Sequence, residues 1–136
     1  DERYLVSLKK LSEALLSCIE AGFEPRDTFL FGFSQGARMV LDFFLKERKR
    51  FAGVLALSPR MSHFEPFPKI EAPINETPIF VAHGRYDPVI PFQETSKELI
   101  PWMEGISNMT FESYEMGHEI DIMEIQKVRL WLNEYL

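Results

Sequence analysis

The sequence holds little of what metal centres and disulfide-stabilised domains require. Its 136 residues include a single cysteine, Cys18, and three histidines. One cysteine excludes an internal disulfide framework and fits the reducing conditions of the cytoplasm, and three scattered histidines provide no metal-ligand spacing. We therefore expect no metal and no cofactor, and we interpret Cys18 as a small core residue.

Positive charge and long apolar runs are also scarce. The net charge is -6, and the one basic run, residues 46–50, is interrupted by Glu47. Nucleic-acid binding needs clustered Lys and Arg, so this balance argues against such a partner. No stretch approaches the roughly 20 apolar residues that cross a bilayer, so we expect no integral membrane segment. There is no glycine-rich phosphate loop either.

One pentapeptide, Gly-Phe-Ser-Gln-Gly at 32–36, stands between an apolar run and a helix-like stretch. A G-x-S-x-G sequence in that context predicts a nucleophile elbow, in which Ser34 occupies a sharp turn and the flanking glycines let strand and helix approach. The backbone N–H of Gln35, at the helix start, is then a candidate oxyanion-hole donor. The alternative is a simple turn between two core elements.

Apolar runs and helical patterns alternate along the chain and indicate a parallel α/β fold. The strands are predicted at 28–33, 51–57, 78–82 and 109–114, with helices before, between and after them. Right-handed crossovers would give a three-layer α/β/α arrangement with a mostly parallel sheet, and ligands gather at the carboxyl ends of such strands. At this length we expect a single domain over residues 1–136.

Residues 58–77 form a proline-rich stretch that we predict to be a loop flanking the site. Its apolar side chains Met61, Phe64 and Phe67, together with Val89 after the third strand, are candidates to line a pocket for a hydrophobic substrate. The alternative is that the loop residues only pin the loop to the core.

Ser34, Asp87 and His118 follow the first, third and fourth predicted strands, so all three are expected at one edge of the sheet. Their chain order, Ser then Asp then His, is typical of a triad built on an elbow serine. We interpret Ser34 as nucleophile, His118 as general base and Asp87 as the acid that orients it. Two other histidines compete. His83, in a strand-end turn, is better read as a hydrogen-bonded structural residue, and His63 has no acidic partner at a telling spacing.

Four segments together resemble the phospholipase/carboxylesterase family, which includes the acyl-protein thioesterases. They are the pentapeptide at 32–36, Leu-Ser at 57–58, His-Gly-Arg-Tyr-Asp-Pro-Val-Ile-Pro at 83–91 and Tyr-Glu-Met-Gly-His-Glu-Ile at 114–120. The resemblance implies the C-terminal portion of an α/β-hydrolase fold. It also implies a cofactor-free serine esterase or thioesterase acting on short to medium acyl esters or on acyl-protein thioesters.

Two departures from the family affect what the resemblance implies. Ala37-Arg38 stands where members often carry a further glycine, which we take as a modest change on the helix. The family's N-terminal strands, including the one whose loop supplies a second oxyanion N–H, have no counterpart before Asp1. Losing one such donor typically costs roughly 3 to 4 kcal/mol of transition-state stabilisation.

The missing strands would leave the strand at 28–33 as an exposed apolar edge. We expect this edge to pair with a missing N-terminal segment or with a second copy in a homodimer. The alternative function is therefore a non-catalytic or weakly active half-domain that acts through strand pairing. A third, an acyl-binding module, would use the apolar loop at 61–70.

Overall fold

The computed structural model describes residues 2–61 and 67–136, which form one parallel sheet with helices on both faces. Its strands are β1 Phe29–Phe33, β2 Gly53–Leu57, β3 Ile79–Gly84 and β4 Met109–Tyr114. Its α-helices are α1 Glu2–Glu20, α2 Gln35–Glu47, α3 Phe92–Met103 and α4 Ile122–Tyr135. The sheet order is β1-β2-β3-β4, and every neighbouring pair is parallel. The predicted α/β class and element order are confirmed.

Successive strand residues point to opposite sides of the sheet, and helices cover both of its faces. Val54, Ala56, Ile79 and Val81 pack with buried residues of α1, α2 and α3. Leu55, Leu57, Phe80 and Ala82 pack on the other face against Trp131 of α4. The predicted three layers are therefore present. Within the described ranges, no helix is both long and apolar enough to cross a membrane.

Strand β1 lies at an edge of the sheet, where the sequence places an apolar edge. Its central residue Phe31 is 54% exposed. The expectation for Cys18 was wrong, because this thiol is exposed. The buried stripe of α1 includes Leu8 and Leu15, but the last turn of the helix, residues 16–20, is exposed along its whole length.

The backbones of β1 and α2 meet at Gly32. A Cβ at this position would lie 2.2 Å from the Gly36 carbonyl oxygen and 2.7 Å from the Ala37 nitrogen. A Cβ on Gly36, in contrast, would meet nothing within 4 Å. We expected both flanking glycines to be needed for the close approach of strand and helix. The space around them requires a glycine only at Gly32.

We predict that Gly32→Ala destabilises the fold strongly while Gly36→Ala does not. A methyl group at 32 must push strand and helix backbones apart, and overpacking of this kind costs about 1 to 3 kcal/mol or more. Gly36 lies in the first turn of α2, where alanine is favoured over glycine by up to about 1 kcal/mol. Urea unfolding of the two variants measures this difference. Equal stability of the two variants would contradict it.

A buried carboxyl group lies at the start of α4. Glu124 takes part in a capping box with Asp121, and its Oε1 accepts the Asp121 backbone N–H at 3.4 Å. Its Oε2 is buried without a hydrogen-bond partner among the described residues. Burial first, and then the Asp121 charge, raises the pKa of Glu124 to about 7 despite the hydrogen bond from the Asp121 backbone.

Because the pKa of Glu124 is raised from 4.5 to about 7 on folding, the folded chain keeps a proton that the unfolded chain releases. The free energy of unfolding should therefore fall as pH rises through this window and stay lowered above it. We predict that Glu124→Gln, which keeps the Oε1 acceptor, removes this dependence. The gain should be about 1 to 3 kcal/mol at pH 8 and near zero at pH 4.

Chemical denaturation at a series of pH values measures the effect. Glu134→Gln, on the exposed side of the same helix, is the matched control and should leave the pH dependence unchanged. A Glu124→Gln variant that is less stable than the parent at pH 8 would contradict the assignment.

Candidate active site

Ser34 occupies the sharp turn between β1 and α2. It is the N-cap of α2 and has φ 58° and ψ -120°, a region that residues other than glycine rarely adopt. Its N–H donates to the Leu57 carbonyl at 2.9 Å, and its own carbonyl accepts from the Arg60 N–H at 3.4 Å. The neighbouring strand and the loop after it therefore fix the serine backbone.

His118, in the loop after β4, reaches the serine hydroxyl. Its Nε2 lies 2.8 Å from Ser34 Oγ, although 84 residues separate the two in sequence. Its Nδ1 lies 2.7 Å from Asp87 Oδ2. A carboxylate can only accept, so Nδ1 carries the proton and Nε2 of the neutral ring accepts from the hydroxyl. The Phe33 ring, with its centroid 5.0 Å away, covers the imidazole.

Asp87 lies in the loop between β3 and α3, with its side chain buried. Its Oδ1 accepts the backbone N–H groups of Val89 and Ile90, each at 2.8 Å, which leaves Oδ2 for His118. Burial alone would raise the pKa of Asp87, but the N–H donors of Ile90 and Val89 and the contact with His118 outweigh it and lower the pKa. The carboxyl group is therefore ionised at neutral pH.

His83, at the end of β3, lies behind this carboxylate. Its Nε2 is 2.7 Å from the Ile90 carbonyl oxygen and 3.3 Å from Asp87 Oδ2. Burial lowers the pKa of His83, so its ring is neutral. These contacts agree with the interpretation of His83 as a hydrogen-bonded residue. The competing His63 lies outside the described residues.

Gln35 is the first residue of α2, and its side chain is exposed. The N–H groups in the first turn of a helix have no intrahelical acceptor, and the positive end of the helix dipole lies there. This is the local chemistry that an oxyanion donor needs. The role of Gln35 stays a prediction.

The predicted substrate-binding residues lie in different environments. Met61 is only 3% exposed, with its sulfur 3.8 Å from Nη1 of Arg38. Phe67 is half-buried, with its ring 4.6 Å from that of Trp102 and its face 4.4 Å from the Arg38 guanidinium. These contacts favour the alternative that Met61 and Phe67 pin the loop. Val89 is 63% exposed beside Asp87, and Phe64 lies outside the described residues.

Arg38 is the residue whose importance the sequence interpretation missed. Only 3% exposed, it pairs through Nε with Asp42 at 3.0 Å, and the Tyr4 hydroxyl of α1 donates to the same carboxylate. With Phe67 packed on its other side, the guanidinium connects α1, α2 and the loop. In the sequence, the importance of Arg38 was indicated by its place on an otherwise apolar helix face, with an acidic residue four positions later.

The structure thus brings together Ser34, His118 and Asp87, and Val89 is exposed two residues from Asp87. In the part of the chain that it describes, no three His, Cys, Asp or Glu side chains are grouped so that they could hold a metal ion. The arrangement has the parts for proton transfer between a hydroxyl and an imidazole, with an ionised carboxylate behind the imidazole.

Known proteins similar to this chain include a thioesterase and a protein named as an inactive esterase. Acyl-protein thioesterase 1 of Kluyveromyces lactis is 31% identical over 135 residues, which cover 96% of this chain and 59% of the relative. A protein of Oryza sativa subsp. japonica named a probable inactive carboxylesterase is 27% identical over 121 residues, covering 87% of this chain and 49% of the relative. The chain thus spans about half to three fifths of the length of these relatives.

A similar fold is found among solved structures. The crystal structure of Arabidopsis thaliana SOBER1 superposes with a TM-score of 0.82 at 26% identity, covering 99% of this chain and 66% of that one. The family model described as phospholipase/carboxylesterase matches residues 2–136. Since that match covers the described fold and the Ser34, Asp87 and His118 positions, the chain belongs to the phospholipase/carboxylesterase family of α/β-hydrolases.

Proposed function

We propose that the protein is a serine hydrolase that cleaves carboxylic esters or acyl thioesters through an acyl-enzyme intermediate. The observation that carries the proposal is the continuous contact from Ser34 Oγ through His118 to Asp87, at 2.8 and 2.7 Å. Membership of a hydrolase family supports the same reaction class.

In the first half-reaction, His118 Nε2 takes the hydroxyl proton as Ser34 Oγ attacks the acyl carbonyl carbon. The carbonyl oxygen becomes an oxyanion, to which the Gln35 N–H donates. The tetrahedral intermediate collapses when His118 returns the proton to the leaving alcohol or thiol. Water then repeats the sequence on the acyl-serine and releases the acid.

Asp87 holds the imidazole in the tautomer that this sequence needs. With Oδ1 occupied by two backbone N–H groups, the remaining oxygen accepts from His118 Nδ1 and stabilises the imidazolium that forms. The lowered pKa of Asp87 keeps the charge in place at neutral pH.

The substrate is a small-molecule ester or an acylated protein. The name of the Kluyveromyces lactis relative, acyl-protein thioesterase 1, supports the second, and the family description supports the first. No cofactor takes part in the steps above. We assign the protein to the cytoplasm because its one cysteine is an exposed free thiol, which fits a reducing compartment.

We predict that a fluorophosphonate probe labels Ser34 of the folded protein and that Ser34→Ala abolishes labelling. His118→Ala and Asp87→Asn should slow it by about a thousandfold or more, because each removes a member of one proton-transfer unit. Ser17→Ala, on an exposed turn of α1, is the control and should label like the parent. Mass spectrometry of the labelled peptide locates the adduct. The absence of an adduct on Ser34 of the folded parent protein would contradict the proposal.

We also propose a second candidate function, a weakly active or non-catalytic half-domain that acts by strand pairing. It is favoured by the position of β1 at the sheet edge and by the exposed Phe31 ring. The probable inactive carboxylesterase among the relatives supports a non-catalytic form. The partner strand would come from an N-terminal segment or from a second copy.

We predict that the 136-residue chain associates through β1 and that Phe31→Lys weakens the association at least tenfold, because a charge on the pairing strand opposes burial. Size-exclusion chromatography with light scattering over a concentration series measures it. Leu5→Lys, at an exposed apolar position on α1, is the matched control. A parent chain that is monomeric at every concentration would exclude the homodimer.

A further inference from the structure

His83 is a fully buried histidine that no step of the proposed mechanism uses. It belongs to β3, and its ring centroid lies 6.0 Å from that of Phe92 in α3. The titratable groups that act on it are Asp87 and His118.

Two acceptors lie close to its Nε2, the Ile90 carbonyl oxygen at 2.7 Å and Asp87 Oδ2 at 3.3 Å. The neutral ring therefore carries its proton on Nε2 and donates to Ile90. Nδ1 is buried without a hydrogen-bond partner among the residues that the structure describes. An apolar side chain would fill the space without burying an unpaired nitrogen, so the contribution specific to histidine is the Nε2–H donor.

This donor completes a closed set of contacts around the carboxylate. The Ile90 carbonyl accepts from His83, while the Ile90 N–H donates to Asp87 Oδ1 at 2.8 Å. Both backbone groups of Ile90 are thus in use, and the turn from Asp87 to Ile90 is fastened to β3. With Oδ1 held in this way, Oδ2 is directed at His118 Nδ1.

We propose that His83 is a positioning residue, which acts through Ile90 to hold Asp87 in line with His118. The inference rests on the proposed serine-hydrolase function and extends it to a fourth side chain. The imidazole fastens the turn that presents the carboxylate, and its Nε2 lies 3.3 Å from the same Oδ2 that His118 contacts.

Three variants separate the donor from the bulk of the ring. In His83→Gln the amide nitrogen reaches about as far as Nε2, in His83→Asn it reaches only to the position of Nδ1, and His83→Leu has no donor. We expect His83→Gln to label with the fluorophosphonate within a few-fold of the parent. The Asn and Leu variants should label on the order of tenfold to a hundredfold more slowly, because small displacements of a catalytic group have effects of that size.

The geometry can be tested without any catalysis by NMR, in which the hydrogen-bonded Nδ1 proton of His118 is expected as a downfield resonance. It should persist in the parent and in His83→Gln and be lost or shifted upfield in His83→Asn and His83→Leu. Folded Asn and Leu variants that keep this resonance and the labelling rate of the parent would overturn the inference. A folded Gln variant that loses the resonance would also overturn it.

If His83→Leu fails to fold, the Gln and Asn pair decides, since both are polar amides that differ in reach. If the parent protein is not labelled at Ser34, the proposed function fails. The Nδ1 resonance still decides the role of His83 in that case.

Discussion

The close approach of β1 and α2 at Gly32 is the constraint on which the site depends. With the Gly36 carbonyl 2.2 Å from where a Cβ would stand, the helix must start directly at the end of the strand. The chain has one residue, Ser34, in which to turn, and it takes φ 58° there. This backbone carries the serine hydroxyl at the sheet edge and begins α2 with free N–H groups beside it.

The parallel register brings the other partners to the same edge. Phe33 pairs with Leu57, Leu57 with Ala82, and Gly84 with Tyr114, so the loops after all four strands start at nearly one level. Residues 84 positions apart can then meet within hydrogen-bond distance. The parallel strand order places the segments together although no local sequence feature links them.

The sequence was enough to predict the strand and helix order, because short apolar runs alternate with helical periodicity. The grouping of Ser34, Asp87 and His118 could also be anticipated, since each follows a strand. Features that depend on contacts between distant elements could not be predicted from the sequence. Arg38 is buried against Asp42, Met61 and Phe67, and Cys18 is exposed together with the rest of the last turn of α1, residues 16–20.

Two buried carboxyl groups show how the site keeps its charge. Burial opposes ionisation of both Asp87 and Glu124, yet the pKa of Asp87 is lowered while that of Glu124 is raised to about 7. The difference lies in the hydrogen-bond donors that each carboxyl group has. Asp87 accepts two backbone N–H groups at 2.8 Å and an imidazole at 2.7 Å, whereas Glu124 accepts one N–H at 3.4 Å and leaves Oε2 unpaired among the described residues. The turn after β3 therefore provides more than a location for Asp87, because its converging N–H groups keep a buried carboxylate ionised beside His118.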